Sequence, residues 1–431
     1  MTTKLERIAE ISARTAKPVF TSLYHMIDAD LLKQCFNEID GKKAVGIDEV
    51  TKEEYGEQLD SNVKDLVRRL KNKAYKPLPT KRVFIPKGNG KMRPLGIASF
   101  EDKMVQLALK KVLEAIYEPR FLNCMYGFRP NRGCHEALRD VYQHLSRGKI
   151  NYIVDADVKG FFDHIDHEWM MRFLEWHIKD PNILWLIRKY LKAGVMVDGT
   201  FEDTEEGTIQ GGNISPTLAN VYMHNVLTLW FKLVVRKEAR GDCFLVNYAD
   251  DFVAGFQYKS DAENYYSALQ VRMAKFNLEL EESKSRLIEF GRYAEQNRKS
   301  RGLGKPETFD FLGFTFFMGK SRKGFPCPMV KTSRKKFEKS LKSFKTWLYD
   351  NRNQPAGNLI QQLNVKLVGY YQYYSVTFNG FKMSAFLHRV QQFLHKVLNR
   401  RGCGRTYTWD GFIDLLKVFP LAKPKVYYAL Y

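Results

Sequence analysis

The sequence is short of carboxylates, of paired cysteines and of long apolar runs. Against 69 lysines and arginines stand only 48 aspartates and glutamates, a formal charge of +21. That imbalance favours a polyanionic partner, either nucleic acid or an acidic membrane surface. The 6 cysteines, Cys35, Cys124, Cys134, Cys243, Cys327 and Cys403, lie far apart and form no Cys-x-x-Cys pair. A disulfide framework and a structural zinc site are therefore not expected, and a reducing cytoplasm fits. The most apolar long stretch, residues 218–235, is interrupted by Asn220, His224, Asn225 and Lys232, so no membrane span is expected. Residues 1–20 carry early charges and no apolar secretory core, which argues against a signal peptide. Neither His135-Glu136 nor His167-Glu168 continues as His-Glu-x-x-His, excluding that zinc-protease motif. No internal repeat is evident.

What is present describes a folded chain long enough for two or three domains, with 431 residues, 44% hydrophobic and 14% aromatic. The positive charge is concentrated. Residues 321–431 hold 20 lysines and arginines against 4 carboxylates, which is +16 of the total +21. This last quarter is the expected polyanion-gripping module.

Residues 1–40 read as amphipathic helix, followed by a basic, glycine-punctuated loop through Gly46-Ile47-Asp48. Strand character at residues 81–86 and 94–97 brackets Lys87-Gly88-Asn89-Gly90-Lys91, a hairpin signal whose cations, with Arg93, suit phosphate. Tyr126-Gly127-Phe128-Arg129-Pro130 interleaves aromatics with cations, a mix suited to nucleic-acid backbone and base faces. Residues 205–216 form a Gly-rich loop opening a helix near Pro216; it lacks the Lys-Ser/Thr ending of a Walker loop. His164 and His167 bracket a helix start, where capping and packing are expected rather than metal binding.

Two acidic elements stand out. Tyr152-Ile153-Val154-Asp155-Ala156-Asp157 is an apolar strand ending in carboxylates, and Tyr248-Ala249-Asp250-Asp251 is a tight turn between two apolar runs. Adjacent aspartates on a turn repel each other unless a divalent cation neutralises them. A third carboxylate nearby could complete a site for two hard cations about 4 Å apart. Farther on, residues 278–290 read as a strand region carrying Lys284, 291–308 as a polar loop, and 309–316 as a strand. Three helices are then expected, the first capped by Ser333 with Phe337, Leu341, Phe344 and Leu348 on one stripe. Lys335, Lys336, Lys339 and Lys342 lie off that stripe, as a basic RNA-binding face.

The order of these motifs resembles the group II intron reverse transcriptases and maturases. The residues that carry the resemblance include Ile85-Pro86-Lys87, Arg93-Pro94-Leu95-Gly96-Ile97, Tyr126-Gly127-Phe128-Arg129-Pro130 and Asp157-Val158-Lys159-Gly160-Phe161-Phe162-Asp163. Gln210-Gly211-Gly212, Ser215-Pro216, Tyr248-Ala249-Asp250-Asp251 and Phe311-Leu312-Gly313-Phe314 continue it, and Leu367-Val368-Gly369-Tyr370-Tyr371-Gln372-Tyr373-Tyr374 looks like the aromatic signature of the maturase region, domain X.

The resemblance implies an α+β right-hand polymerase, with fingers over residues 1–150, a palm over 151–320 and a helical thumb or domain X over 321–431. It implies RNA-directed DNA synthesis and splicing support on group II intron RNA, with an RNA template, a DNA primer, dNTPs and two Mg²⁺ ions (or Mn²⁺). Asp157, Asp250, Asp251 and the Val158 carbonyl would hold the metal, and Lys284 would be a general acid. Lys87 and Arg93 would grip the triphosphate, Phe162 would exclude a 2′-hydroxyl, and Gln210 would line the nucleotide pocket. The family's Cys-rich endonuclease pattern does not occur before Tyr431, so that activity is not expected, nor is zinc. A bacterial cytoplasmic setting follows. The alternatives are a free-standing reverse transcriptase in repair or phage defence, and an RNA-binding splicing cofactor alone.

Overall fold

A computed structural model describes residues 3–86, 92–197, 200–202, 206–208, 211–400 and 407–431. In chain order its strands are β1 (Thr80–Pro86), β2 (Met92–Ile97), β3 (Tyr152–Asp157), β4 (Val195–Val197) and β5 (Thr200–Glu202). They continue as β6 (Cys243–Tyr248), β7 (Asp251–Phe256), β8 (Arg286–Glu289), β9 (Phe309–Phe311), β10 (Phe314–Lys320) and β11 (Pro326–Thr332). With the helices between them, the fold is α+β.

The central sheet has the order β6-β7-β3-β8, antiparallel throughout. Its strands are apolar on both faces because both are covered. Val154, Ala156, Leu245, Phe252 and Ala254 join a core built with the N-terminal helices, where Phe100–Tyr117 contributes Met104, Val105, Leu109 and Val112. Ile153, Phe244, Val246, Val253 and Ile288 face a second core shared with the helix Cys134–Arg147 and with β9 to β11. Period-two alternation thus sends successive residues of one strand into different cores.

The hairpin β1-β2 belongs to a second sheet, of order β2-β1-β4-β5, in which β4 joins β1 in parallel. Its tip, including Lys87, lies outside the described residues.

From residue 334 the described chain is mainly helical, with Trp409–Val418 its last helix. Arg334–Asp350, Ala356–Tyr374 and Gly380–Leu398 bury Phe344, Leu348, Leu363, Leu367, Phe386 and Val390 in a third core. The three-and-four spacing of those residues makes the stripe, and burying it is what holds marginal helices together in water. Ser333 occupies the N-cap of the first helix as expected, but its side chain makes no cap bond; its C=O accepts from Phe337 N–H at 2.9 Å and its N–H donates to Gly313 C=O at 3.0 Å.

Two further expectations are corrected. Residues 291–308 contain a helix, Ala294–Ser300. Residues 309–316 do not continue as one strand: β9 and β10 pair with each other, Phe311 opposite Phe314, around a two-residue turn at Leu312-Gly313. No helix among the described residues is long and apolar enough to cross a membrane.

Candidate active site at the end of the central sheet

Strand register builds the site. Asp157, last in β3, lies directly opposite Asp251, first in β7, and Tyr248 of β6 opposes Asp251 on its other side. Asp250 sits between, in the two-residue turn Ala249-Asp250. Ala249 takes a left-handed φ of 58°, a conformation that costs a residue with a Cβ about 1 kcal/mol or more. Two contacts hold it there. The buried Asn247 side chain donates to Ala249 C=O at 2.7 Å. Gly127 abuts the turn so closely that a Cβ there would stand 2.5 Å from Ala249 N.

The acidic charge is only partly balanced from within. Asp251 is pushed up to about 8, first by burial and then by Asp250, Asp155 and Asp157. Asp250 is also raised, mainly by burial, with Asp157 adding to the rise and Arg93 and Lys284 opposing it. Asp155, two residues before Asp157 on the same face of β3, is raised to about 6 by burial despite Arg286 at 3.5 Å. Carboxylates gathered in a half-buried corner resist ionisation together unless a cation joins them.

The donor set is all oxygen, which suits a hard divalent cation. Among the described residues no group of three or more His, Cys, Asp or Glu side chains is arranged to hold a metal as it stands. A cation already stands at one corner: the Lys284 ammonium is hydrogen-bonded to Asp157, which raises the Lys284 pKa. Lys284 lies just before β8, in a turn rather than in the strand expected there, so it reaches Asp157 along the sheet edge.

The other expected residues divide. Arg93 is exposed on β2 and acts electrostatically on Asp250. Val158 is buried and bridges to Leu280. Phe162 is half-buried, edge-on to Phe161 with 5.3 Å between ring centroids. It lines a cleft with Arg82, Pro94, Gly96 and Thr208. The Gly-rich loop closes on this cleft, where a Cβ on Gly207 would meet Phe162 O at 2.8 Å and one on Gly211 would meet Gly96 O at the same distance. Gln210, like Lys87, lies outside the described residues.

Arg129 is not free for phosphate. It is buried, paired with Glu118 at 2.7 Å, and donates to Leu122 C=O at 2.8 Å and Met125 C=O at 2.9 Å. The histidine expectation holds for His167, which is buried and bonded to Gly207 O at 2.7 Å. Lys335, Lys336, Lys339 and Lys342 are all exposed on the helix Arg334–Asp350.

The family model described as reverse transcriptase (RNA-dependent DNA polymerase) matches residues 85–316, a span running from β1 through the carboxylate turn into β10. The chain belongs to the reverse transcriptase family. Similar proteins include a group II intron-encoded protein and an intron maturase. The group II intron-encoded protein LtrA of Lactococcus lactis subsp. cremoris is 38% identical over 227 residues, which cover 52% of this chain and 37% of that protein. Protein YkfC of Escherichia coli is 37% identical over 189 residues, 43% of this chain and 49% of that protein. Nuclear intron maturase 1, mitochondrial, of Arabidopsis thaliana is 33% identical over 93 residues, 22% of this chain and 13% of that protein. The chain thus spans less than half the length of each of these relatives.

Asp155 is the site residue that motif reading passed over. The available signal was its spacing: two residues from Asp157 along a strand is the same face.

Proposed function

We propose that this reverse transcriptase is an RNA-directed DNA polymerase that also binds group II intron RNA and promotes its splicing and mobility. The observation that carries the proposal is the pairing of Asp157 with Asp251 beside Asp250, a corner of acidic oxygens in which burial, and then the neighbouring carboxylates, raise Asp250 and Asp251. In this reading residues 1–150 are the fingers, 151–320 the palm and 321–431 a thumb that doubles as the maturase region.

Asp157, Asp250 and Asp251, with the Val158 carbonyl, would hold Mg²⁺. When bound, that metal would activate the primer 3′-hydroxyl and neutralise charge developing on the pyrophosphate. Arg93, on the strand facing Asp250, would orient the triphosphate through its planar guanidinium, with Lys87 beside it. The Phe162 ring would fill the space a ribose 2′-hydroxyl needs, and Gln210 would line the same pocket. Lys284 holds a proton next to Asp157 and would be positioned to donate it toward the leaving group. Lys335, Lys336, Lys339 and Lys342 would neutralise RNA phosphates.

The test is primer extension on a long RNA template with dNTPs. Asp250→Ala is expected to abolish extension while leaving RNA binding in place. Full extension by that variant would refute the assignment of the site.

A further inference from the structure

The segment that abuts the carboxylate turn carries a ring that the fold holds out. It runs alongside β6, where Asn247 N–H donates to Cys124 C=O at 2.8 Å and Tyr126 N–H donates to Asn247 C=O at 2.9 Å. Asn247 is also the residue whose side chain fixes Ala249. Gly127 presses on that turn, and its C=O accepts from the buried Asn220 side chain at 2.7 Å. One residue farther on, the buried Arg129 ties the segment down again, through Glu118, Leu122 and Met125.

Phe128 lies between these two anchors. Gly127 and Arg129 are buried, yet Phe128 is 49% exposed, on a left-handed φ of 56°. An exposed phenylalanine is ordinary on its own. A bulky residue in a left-handed conformation is not, and it persists only where its surroundings over-determine it. Here two buried polar side chains, Asn220 and Arg129, fix the backbone on either side. Among the described residues no ring or cation stacks on Phe128.

The charge at the adjoining turn favours the same use. Asp157, Asp250 and Asp251 gather there, and a polyanion meets repulsion at such a corner. The two cations of the segment are turned to the chain itself. Arg129 is buried, and Arg132 donates to Asn123 C=O at 2.7 Å and to Asn123 Oδ1 at 2.9 Å. An uncharged ring can hold base edges there without drawing phosphate onto carboxylates.

We infer that Phe128 binds primer–template: its ring packs against the terminal base pair of the duplex and seats that pair beside the acidic turn. The inference rests on the polymerase reading of that corner given above.

The test measures primer–template affinity and extension by Phe128→Gly and Phe128→Tyr in the full chain, on an RNA template with a DNA primer. Glycine suits a left-handed backbone, so Phe128→Gly should keep the Tm at or above the wild-type value. It should nonetheless weaken the primer–template Kd about 10-fold, the size of one base–aromatic contact. The extension rate at saturating primer–template should not change. Neither should the slope of log K against log salt, because the ring carries no charge. Phe128→Tyr should restore the affinity. In a double-mutant cycle the loss should vanish when one strand of the terminal pair carries an abasic nucleotide. It should persist when the abasic nucleotide lies about six pairs back, beyond the range of such coupling.

Wild-type affinity in Phe128→Gly would overturn the inference. So would a fall in Tm that accounts for the lost affinity, which marks packing only, or a loss that persists against an abasic terminal pair on either strand. Asp250→Ala run alongside separates the two levels, because it is read by extension and Phe128→Gly by binding. If Asp250→Ala extends primers, the site assignment fails; if it is dead and Phe128→Gly binds as wild type does, only the role of Phe128 fails.

Discussion

The sheet end and the C-terminal bundle handle charge in opposite ways. At the sheet end, Asp155, Asp157, Asp250 and Asp251 are drawn together and partly buried, so that three of them are held above the ordinary carboxylate range. In the bundle, Lys335, Lys336, Lys339 and Lys342 are spread along an exposed helix face, and among the described residues none of them is in an ion pair. Concentrated, desolvated charge is specific and short in range, as a reacting centre needs. Dispersed, hydrated charge acts on a polyanion over about a Debye length, roughly 10 Å in moderate salt, and tolerates small shifts in position.

The contrast can be broken at its strong end first. Asp251→Asn should lower the primer-extension rate by about a thousandfold or more, since a metal-held carboxylate supplies transition-state stabilisation of roughly 4 kcal/mol. Its RNA affinity, measured by filter binding, should not move; a joint loss would mean that the two regions do not divide the work.

Arg129→Met tests whether a cation in a basic motif belongs with the dispersed set. It should instead lower stability by about 2 kcal/mol, seen in urea unfolding, by removing the guanidinium that pairs with the Glu118 carboxylate and donates to the Glu118, Leu122 and Met125 carbonyls. A normal midpoint with weakened RNA binding would return Arg129 to the phosphate-binding class.

Phe162→Val sharpens the reacting side. Discrimination between deoxy- and ribonucleotides, as the ratio of their kcat/KM values, should fall about 10-fold or more. An unchanged ratio would make the ring a packing element only.

The smallest effects belong to the bundle taken residue by residue. Each of Lys335→Ala, Lys339→Ala and Lys342→Ala should weaken RNA binding only a few-fold. The triple variant should flatten the slope of log K against log salt by about 2, at roughly 0.7 per phosphate contact on a single strand. An unaltered slope would show that these lysines face solvent only.

The sequence made some of this legible and hid the rest for physical reasons. Asp157, Asp250 and Asp251 could be read because strand alternation and turn chemistry are local, and two apolar runs flanking an acidic pair announce a hairpin. The helices of the bundle could be read because Phe337, Leu341, Phe344 and Leu348 keep helical spacing through to the buried face. Phe311-Leu312-Gly313-Phe314 misled because an apolar run favours strand and a leucine disfavours a left-handed turn; the Tyr373 hydroxyl, which donates to Leu312 C=O, comes from far along the chain. Arg129 misled for the same kind of reason. Whether a guanidinium meets phosphate or backbone carbonyls depends on a fold that brings Glu118, Leu122 and Met125 around it.

The last stretch of chain has a consequence for the order of events during synthesis. Tyr428 stacks on His135 with ring centroids 3.6 Å apart. Ala429 C=O accepts from Arg139, 290 residues earlier, and Thr377 N–H donates to Tyr428 C=O. A ribosome that has made residues 1–330 has already released every carboxylate of the site, so the acidic corner can assemble while the clasp that joins helix Cys134–Arg147 to the bundle does not yet exist. Closing so long a loop is slow. A partly made chain would therefore carry the acidic corner before the bundle, and residues 428 and 429 would join the two only later.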